Sequence, residues 1–253
     1  MARSLRWLAP PIFPAFSMTQ AETITAGAGH AGEALTSGAA FADLARQTLH
    51  RAPPANAFDL KVPLANGDHA LDAPTNRAAA LAEVSSGPPP RAAAVLIPVV
   101  ERQDGLHVVL TTRAAHLPSH AGQIAFPGGK IEPADDGPRA AALREADEEI
   151  GLSPAEVTVL GYLDAYQTGT GFRIVPVVAL VEADASFELD AREVADMFEA
   201  PLVFLMDAAN HQTHHTVWKG RERRYVAMPW QGRYIWGATA GILRNLQTVM
   251  FSS

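Results

Sequence analysis

The segment Ala94-Val-Leu-Ile-Pro-Val-Val100 constrains this chain more than any other. It is continuously apolar, with no polar alternation, so it reads as a buried strand. Asp104-Gly105 follows as a tight-turn signal, and Leu106 to Thr112 resumes β-branched residues, which predicts a hairpin. A short strand is expected between Gly122 and Gly129, and a helix over Pro138 to Ile150, with the proline suited to the first turn. Val157 to Tyr166 and Ile174 to Val181 read as strands, and Val194 to Phe204 as a mixed helix and strand region. A hairpin is expected over Thr216 to Met228, turning at Lys219-Gly220, and a closing helix over Ala238 to Met250. Strands in runs rather than strict alternation with helices favour an α+β fold.

Upstream of Arg91 the character differs. Residues 19–90 are rich in Ala, Gly, Thr and Pro, and Gly87-Pro-Pro-Pro90 marks a linker. Phe41, Leu44, Ala45 and Leu49 share a helical face, and that helix must stop before Pro53-Pro54. A second helical pattern covers Arg77 to Val84. Residues 1–90 are therefore expected to be an N-terminal extension, partly helical or disordered, and residues 91–253 the main domain. Arg3 and Arg6 precede an apolar patch that faintly echoes a signal peptide, but Pro10, Pro11 and Pro14 interrupt it and no cleavage site follows closely. Secretion is not expected; Met18 is an alternative start.

Composition narrows the chemistry. The formal charge of −7 argues against an extended nucleic-acid-binding face. With no cysteine, disulfides, Cys-based zinc sites, iron–sulfur clusters and thiol nucleophiles are excluded, and a cytoplasmic setting is the expectation. No apolar run approaches the length of a membrane span, so neither membrane nor nucleic acid is an expected partner.

The informative polar segment is Arg144-Glu-Ala-Asp-Glu-Glu-Ile-Gly-Leu152. On a helix, Glu145 lies one turn from Glu148 and Glu149, so all three carboxylates occupy one face and repel one another. They also sit near the helix C-terminus, where the macrodipole disfavours anions. A divalent cation would remove the conflict, since hard cations take several carboxylate oxygens. Taken alone, such a string also fits a solvated helix face.

The wider pattern is more specific. Gly129, Asp136, then Arg144-Glu145-Ala146-x-Glu148-Glu149-x-Gly151-Leu152 resembles the Nudix box, with one extra residue after the glycine and Asp where Glu is usual. Leu110-Thr-Thr-Arg-Ala114, Gly122 and Phe126-Pro-Gly-Gly129 resemble the signature of the coenzyme A pyrophosphatase branch of that family, except that Pro118 stands where an Arg is expected. The longer box spacing and Asp136 suit that branch, and Trp236 to Ile242 is similar to it too. The resemblance spans about residues 91–246.

It implies an α/β/α sandwich with a mixed sheet, and Mg²⁺- or Mn²⁺-dependent hydrolysis of a nucleoside diphosphate derivative, a small-molecule substrate. Glu145, Glu148 and Glu149 would be the metal ligands, with a backbone carbonyl from Gly129. Arg144 would orient a box carboxylate. Arg113 is a candidate phosphate contact or simply an exposed strand-end Arg. Phe172 lies in a Gly-rich loop that either lines the pocket rim or only joins two strands. The general base is either one of the box glutamates or Glu193, and the plain alternative for Glu193 is a surface Glu. His211, His214 and His215 are read as a solvated loop, and Trp218, Trp230, Tyr234 and Trp236 as core or interface aromatics. A non-catalytic binding module of the same fold is the competing class; the intact Glu set argues against it.

Overall fold

The computed structural model describes residues 30–218 and 220–251. The N-terminal signal-like patch, the alternative start at Met18 and the turn residue Lys219 lie outside these. Helices α1 (His30–Glu33), α2 (Gly38–Thr48) and α3 (Pro74–Ser86) come first. Strands β1 (Arg91–Arg102), β2 (Gly105–Arg113), β3 (Ile124–Ala125) and β4 (Gly128–Lys130) lead into α4 (Gly137–Ile150). Next are β5 (Val157–Tyr162), β6 (Tyr166–Gln167), β7 (Phe172–Val181), β8 (Val194–Pro201), α5 (Leu202–Met206), β9 (Gln212–Trp218), β10 (Arg221–Trp230), β11 (Arg233–Trp236) and α6 (Gly237–Phe251).

The main sheet is mixed. Its central order is β3-β2-β1-β7-β5, with β4 on β1, β6 on β7 and β8 on β2. β1 and β7 are parallel, while the other pairs in this sheet are antiparallel. The unbroken apolar run of β1 has a direct cause: both its faces are covered, as strands under layers on both sides must be. Ala94, Leu96 and Val100 pack in one core with Ala141, Ala142, Ala146 and Ile150 of α4. Ile97 and Val99 pack in the other with Phe41 of α2 and Leu243 and Leu246 of α6. This is the expected α/β/α arrangement. Pro98 falls where the neighbour of β1 changes from β4, paired through Val95, to β2, paired from Val99. Its missing N–H there interrupts no rung to either strand.

The second sheet is the β9–β10 hairpin extended by β11, in the order β11-β10-β9. The hairpin is longer than expected, because His214 and His215 belong to β9 rather than to a loop. β11, four residues ending against α6, has too short a pattern to be read locally. The mixed region resolves at Pro201, which ends β8 and precedes the first residue of α5.

Residues ahead of the linker are tied to the sheet. Phe41, Ala45 and Leu49 of α2 are buried, and Gly38 N–H donates to Glu101 at 3.1 Å. Arg173 of β7 is fully buried, and its guanidinium donates to the carbonyls of Asn56, Asp59 and Val62 and to Gln167 Oε1. No helix among the described residues is long and apolar enough to cross a membrane.

Candidate active site

α4 presents the carboxylates because its opposite side is made of alanines. Ala141, Ala142 and Ala146 let the helix lie close over β1, and Gly151 in the left-handed region (φ 65°) closes its C-terminus. Glu149 sits one turn past Glu145 and is carried under the Phe126-Pro-Gly-Gly129 turn. Its side chain is only 4% exposed. Gly128 N–H donates to Glu149 Oε2 at 3.2 Å, and Arg113 Nη1 lies 3.7 Å from Oε1. Burial pushes the Glu149 carboxyl up to about 7; the Gly128 hydrogen bond and Arg113 pull against this, while Glu145 and Glu193 add to it.

Glu145 packs on Gly129. A Cβ at that glycine would stand 2.3 Å from Glu145 Oε1, so the Glu145 carboxylate keeps this position only beside a glycine. Gly129 itself is a rung of the β1–β4 ladder, opposite Ala94. Burial raises the Glu145 pKa; Arg144 opposes that, and Glu148 and Glu193 reinforce it.

Arg144 organises the rim. Nε and Nη2 hold Asp135 Oδ1 and Oδ2, each at 3.0 Å, and Nη1 reaches Glu145 Oε1 at 3.0 Å and Glu148 Oε2 at 2.9 Å. Nη2 also donates to the Lys130 carbonyl. The Asp135 carboxyl is accordingly held below the usual range, with the Arg144 hydrogen bond the leading cause.

This corrects the sequence reading in one respect. Asp136 was aligned with the box carboxylate, yet Asp135 meets Arg144, while Asp136 is the N-cap residue of α4 and makes no side-chain capping bond. The spacing from Gly129 to the carboxylate that meets Arg144 is then the family's five residues, and the extra residue lies between Asp135 and Arg144. Gly137, at φ 82° with open space where a Cβ would go, absorbs it at the helix start.

The three box glutamates do not converge as they stand. Glu149 is buried against Gly128 and Arg113, Glu145 lies between Gly129 and Arg144, and Glu148 is 60% exposed on the outer side of Arg144. Among the described residues, no three Asp, Glu or His side chains form a ready metal cage. The donor set nonetheless suits a hard dication: it is all oxygen, partly desolvated and mutually repelling. Glu148 has the solvent exposure to turn inward.

Glu193 comes to the same place. Its carbonyl accepts from Ala114 N–H, next to Arg113, and its charge raises both Glu145 and Glu149. Phe172 stands elsewhere in the ladder, opposite Arg91, whose guanidinium carbon lies 3.9 Å from the ring centroid. The three histidines take separate partners: the Leu205 carbonyl for His211, Gln212 for His214 and Glu222 for His215. Trp230 stacks on Phe198, and Trp236 meets Tyr225 edge-on.

A family model described as NUDIX domain matches residues 89–222. The chain is 42% identical over 158 residues to the uncharacterized Nudix hydrolase NudL of Escherichia coli (strain K12), covering 62% of this chain and 81% of that protein. The protein of the same description from Escherichia fergusonii matches equally. Among solved structures, the chain is similar to the Nudix hydrolase RenU from M. smegmatis at 20% identity and a TM-score of 0.44, over 63% of this chain and 84% of that one.

Proposed function

This chain belongs to the Nudix family of hydrolases, which act on pyrophosphate bonds, and from that premise we propose that it hydrolyses the pyrophosphate of coenzyme A or its acyl esters. The products would be 3′,5′-ADP and 4′-phosphopantetheine or its acyl form. One observation carries the reading. The two motifs read separately in the sequence meet at Glu149, through Arg113 and Gly128 of the branch signature and Glu149 of the box.

Glu145, Glu148 and Glu149, with the Gly129 carbonyl, would hold Mg²⁺ or Mn²⁺. When bound, such an ion neutralises the pyrophosphate charge and acidifies water in its shell. The chain's own groups do the rest. Asp135 and Lys130 O fix Arg144, and Arg144 in turn fixes Glu145, as orienting groups around a metal site do. Arg113, with a buried Nε that bonds no protein atom, has donor capacity left for a substrate phosphate. Glu193 is the candidate base: it is exposed at the rim and accepts a proton from a water if one is held between it and the phosphorus. Residues 91–253 would form the catalytic domain and residues 1–90 its extension, working in the cytoplasm.

Pro118 favours a second reading. It lies exposed in the turn after Arg113, where the branch signature calls for an Arg, so one expected cation is missing. A nucleotide sugar or NADH would then be the substrate. A panel of CoA, acetyl-CoA, NADH, ADP-ribose and dNTPs with Mg²⁺ or Mn²⁺, products identified by mass, decides. Release of 3′,5′-ADP from CoA in preference to cleavage of the others supports the proposal. Selective turnover of NADH or ADP-ribose overturns it.

A further inference from the structure

A cavity of about 250 Å³ opens between α6, β10 and the segment at residues 66–71. It lies on the opposite face of the main sheet from the carboxylates. Residues paired across a ladder share a face. Gly129 faces Glu145, pairs with Ala94, and Ala94 pairs with Val175; both apolar residues belong to the core under α4. Tyr166, which lines the cavity, pairs with Ile174 and packs in the core under α6. Tyr166 is also the only lining residue within the segment matched by the family model; the rest flank it.

The walls carry unused polar capacity. Arg224 Nε and Asn245 Oδ1 are each buried without a hydrogen-bond partner. Such groups cost free energy unless something fills them. Arg244 forms no ion pair with any described residue, and the nearest carboxylate to Arg224 Nε is Glu222 at 3.9 Å. The one acid in the lining, Asp68, is already engaged at both oxygens, by Tyr166 O–H at 3.0 Å and Gly169 N–H at 2.7 Å. Two arginines therefore line the space against one carboxylate that is already committed.

From this geometry we infer that the cavity is a second binding site, for a small molecule that carries an oxyanion and a hydroxyl. Arg224 and Arg244 take the oxyanion, the arrangement arginine forks favour, and the hydroxyl donates to Asn245 Oδ1. The volume is below the roughly 300–1,000 Å³ of sites for drug-sized ligands, so a small metabolite fits and a dinucleotide does not. Phosphate monoesters and hydroxy acids share this chemistry.

The test is calorimetric titration of the full-length, metal-free protein with two arms of probes: inorganic phosphate and glycerol 3-phosphate, and malate and citrate. The inference expects saturable binding at millimolar or lower concentration in one arm, with the hydroxyl-bearing probe ahead of inorganic phosphate in the phosphate arm. Arg244→Gln should weaken binding about tenfold or more, the loss of one charge-assisted contact, and leave turnover of the catalytic substrate unchanged. Glu149→Gln should leave binding intact. Arg224→Gln, at a side chain 41% exposed, supplies a second variant that does not strain the core. No binding in either arm, wild-type affinity in both arginine variants, or binding lost in Glu149→Gln each overturns it.

Discussion

Arg144 grips Asp135 at two points, Nε on Oδ1 and Nη2 on Oδ2, both at 3.0 Å. Arg144 also touches Glu145 and Glu148, so Asp135 sets the position of the group that sets theirs. Asp135→Asn should lower kcat/KM by about 10- to 100-fold, the usual cost of losing an orienting partner. Asp136→Asn, one residue away with no capping bond to lose, should change it little. Steady-state kinetics on both variants check this; equal losses would return the box position to Asp136.

Gly129 should not tolerate a methyl group. Its backbone belongs to the ladder with β1, so the strand cannot retreat, and the new Cβ would drive Glu145 from its seat. Gly129→Ala is expected to lose at least about tenfold in kcat, the scale of a misplaced catalytic group. Its circular dichroism should match the wild type, because only a side chain must move. Kinetics at saturating metal and substrate would expose the opposite result.

Burial raises the Glu149 carboxyl from 4.5 to about 7. Between these values the folded protein holds a proton that the unfolded chain releases, so metal-free stability should fall as pH rises across that window. The effect is at most about 3 kcal/mol for one group shifted this far. Melting temperatures of the metal-free protein from pH 4.5 to 8 should decline, and Glu149→Gln should flatten that part of the curve. Added Mg²⁺ or Mn²⁺ should raise the wild-type melting temperature most at the alkaline end, where the carboxylate is ionised. The same substitution should remove most turnover.

How much of this was legible in the chain depends on the range of the cause. β1, the β1–β2 hairpin and α4 follow from local pattern: an unbroken apolar run, Asp104-Gly105, and alanines opposite glutamates. That Glu145 and Glu149 share one face of α4 follows from helical period alone. Asp135 was hidden by its neighbour: two adjacent aspartates satisfy almost the same spacing, and only the left-handed turn at Gly137 selects between them. The first half of β9 was missed through His214 and His215, polar residues that face separate partners on an exposed strand. The cavity under α6 joins residues 66–71, Tyr166 and residues 224–248, segments far apart along the chain, so no local signal marks it.

Arg173 is the plainest case of a long-range cause, and it yields the last prediction. A fully buried cation in β7 collects the carbonyls of Asn56, Asp59 and Val62, in a stretch with no helical or strand period of its own. Of these three, the Asp59 carbonyl also accepts from Val62 N–H at 3.1 Å. Arg173→Met keeps most of the apolar stem and removes the donors, leaving the Asn56 and Val62 carbonyls and Gln167 Oε1 to be rehydrated, while the Asp59 carbonyl keeps its bond from Val62 N–H. The cost should be roughly 2–4 kcal/mol, a few unsatisfied acceptors partly relieved by water. The loss should be local first: the segment at residues 51–66 should become sensitive to protease at temperatures well below global melting, since it is the part that is free to open. Limited proteolysis with mass mapping, read beside the melting curve, checks both. Wild-type resistance at residues 51–66 in the variant would show that α2 and the Gly67–Gln167 bridge hold the segment without this arginine.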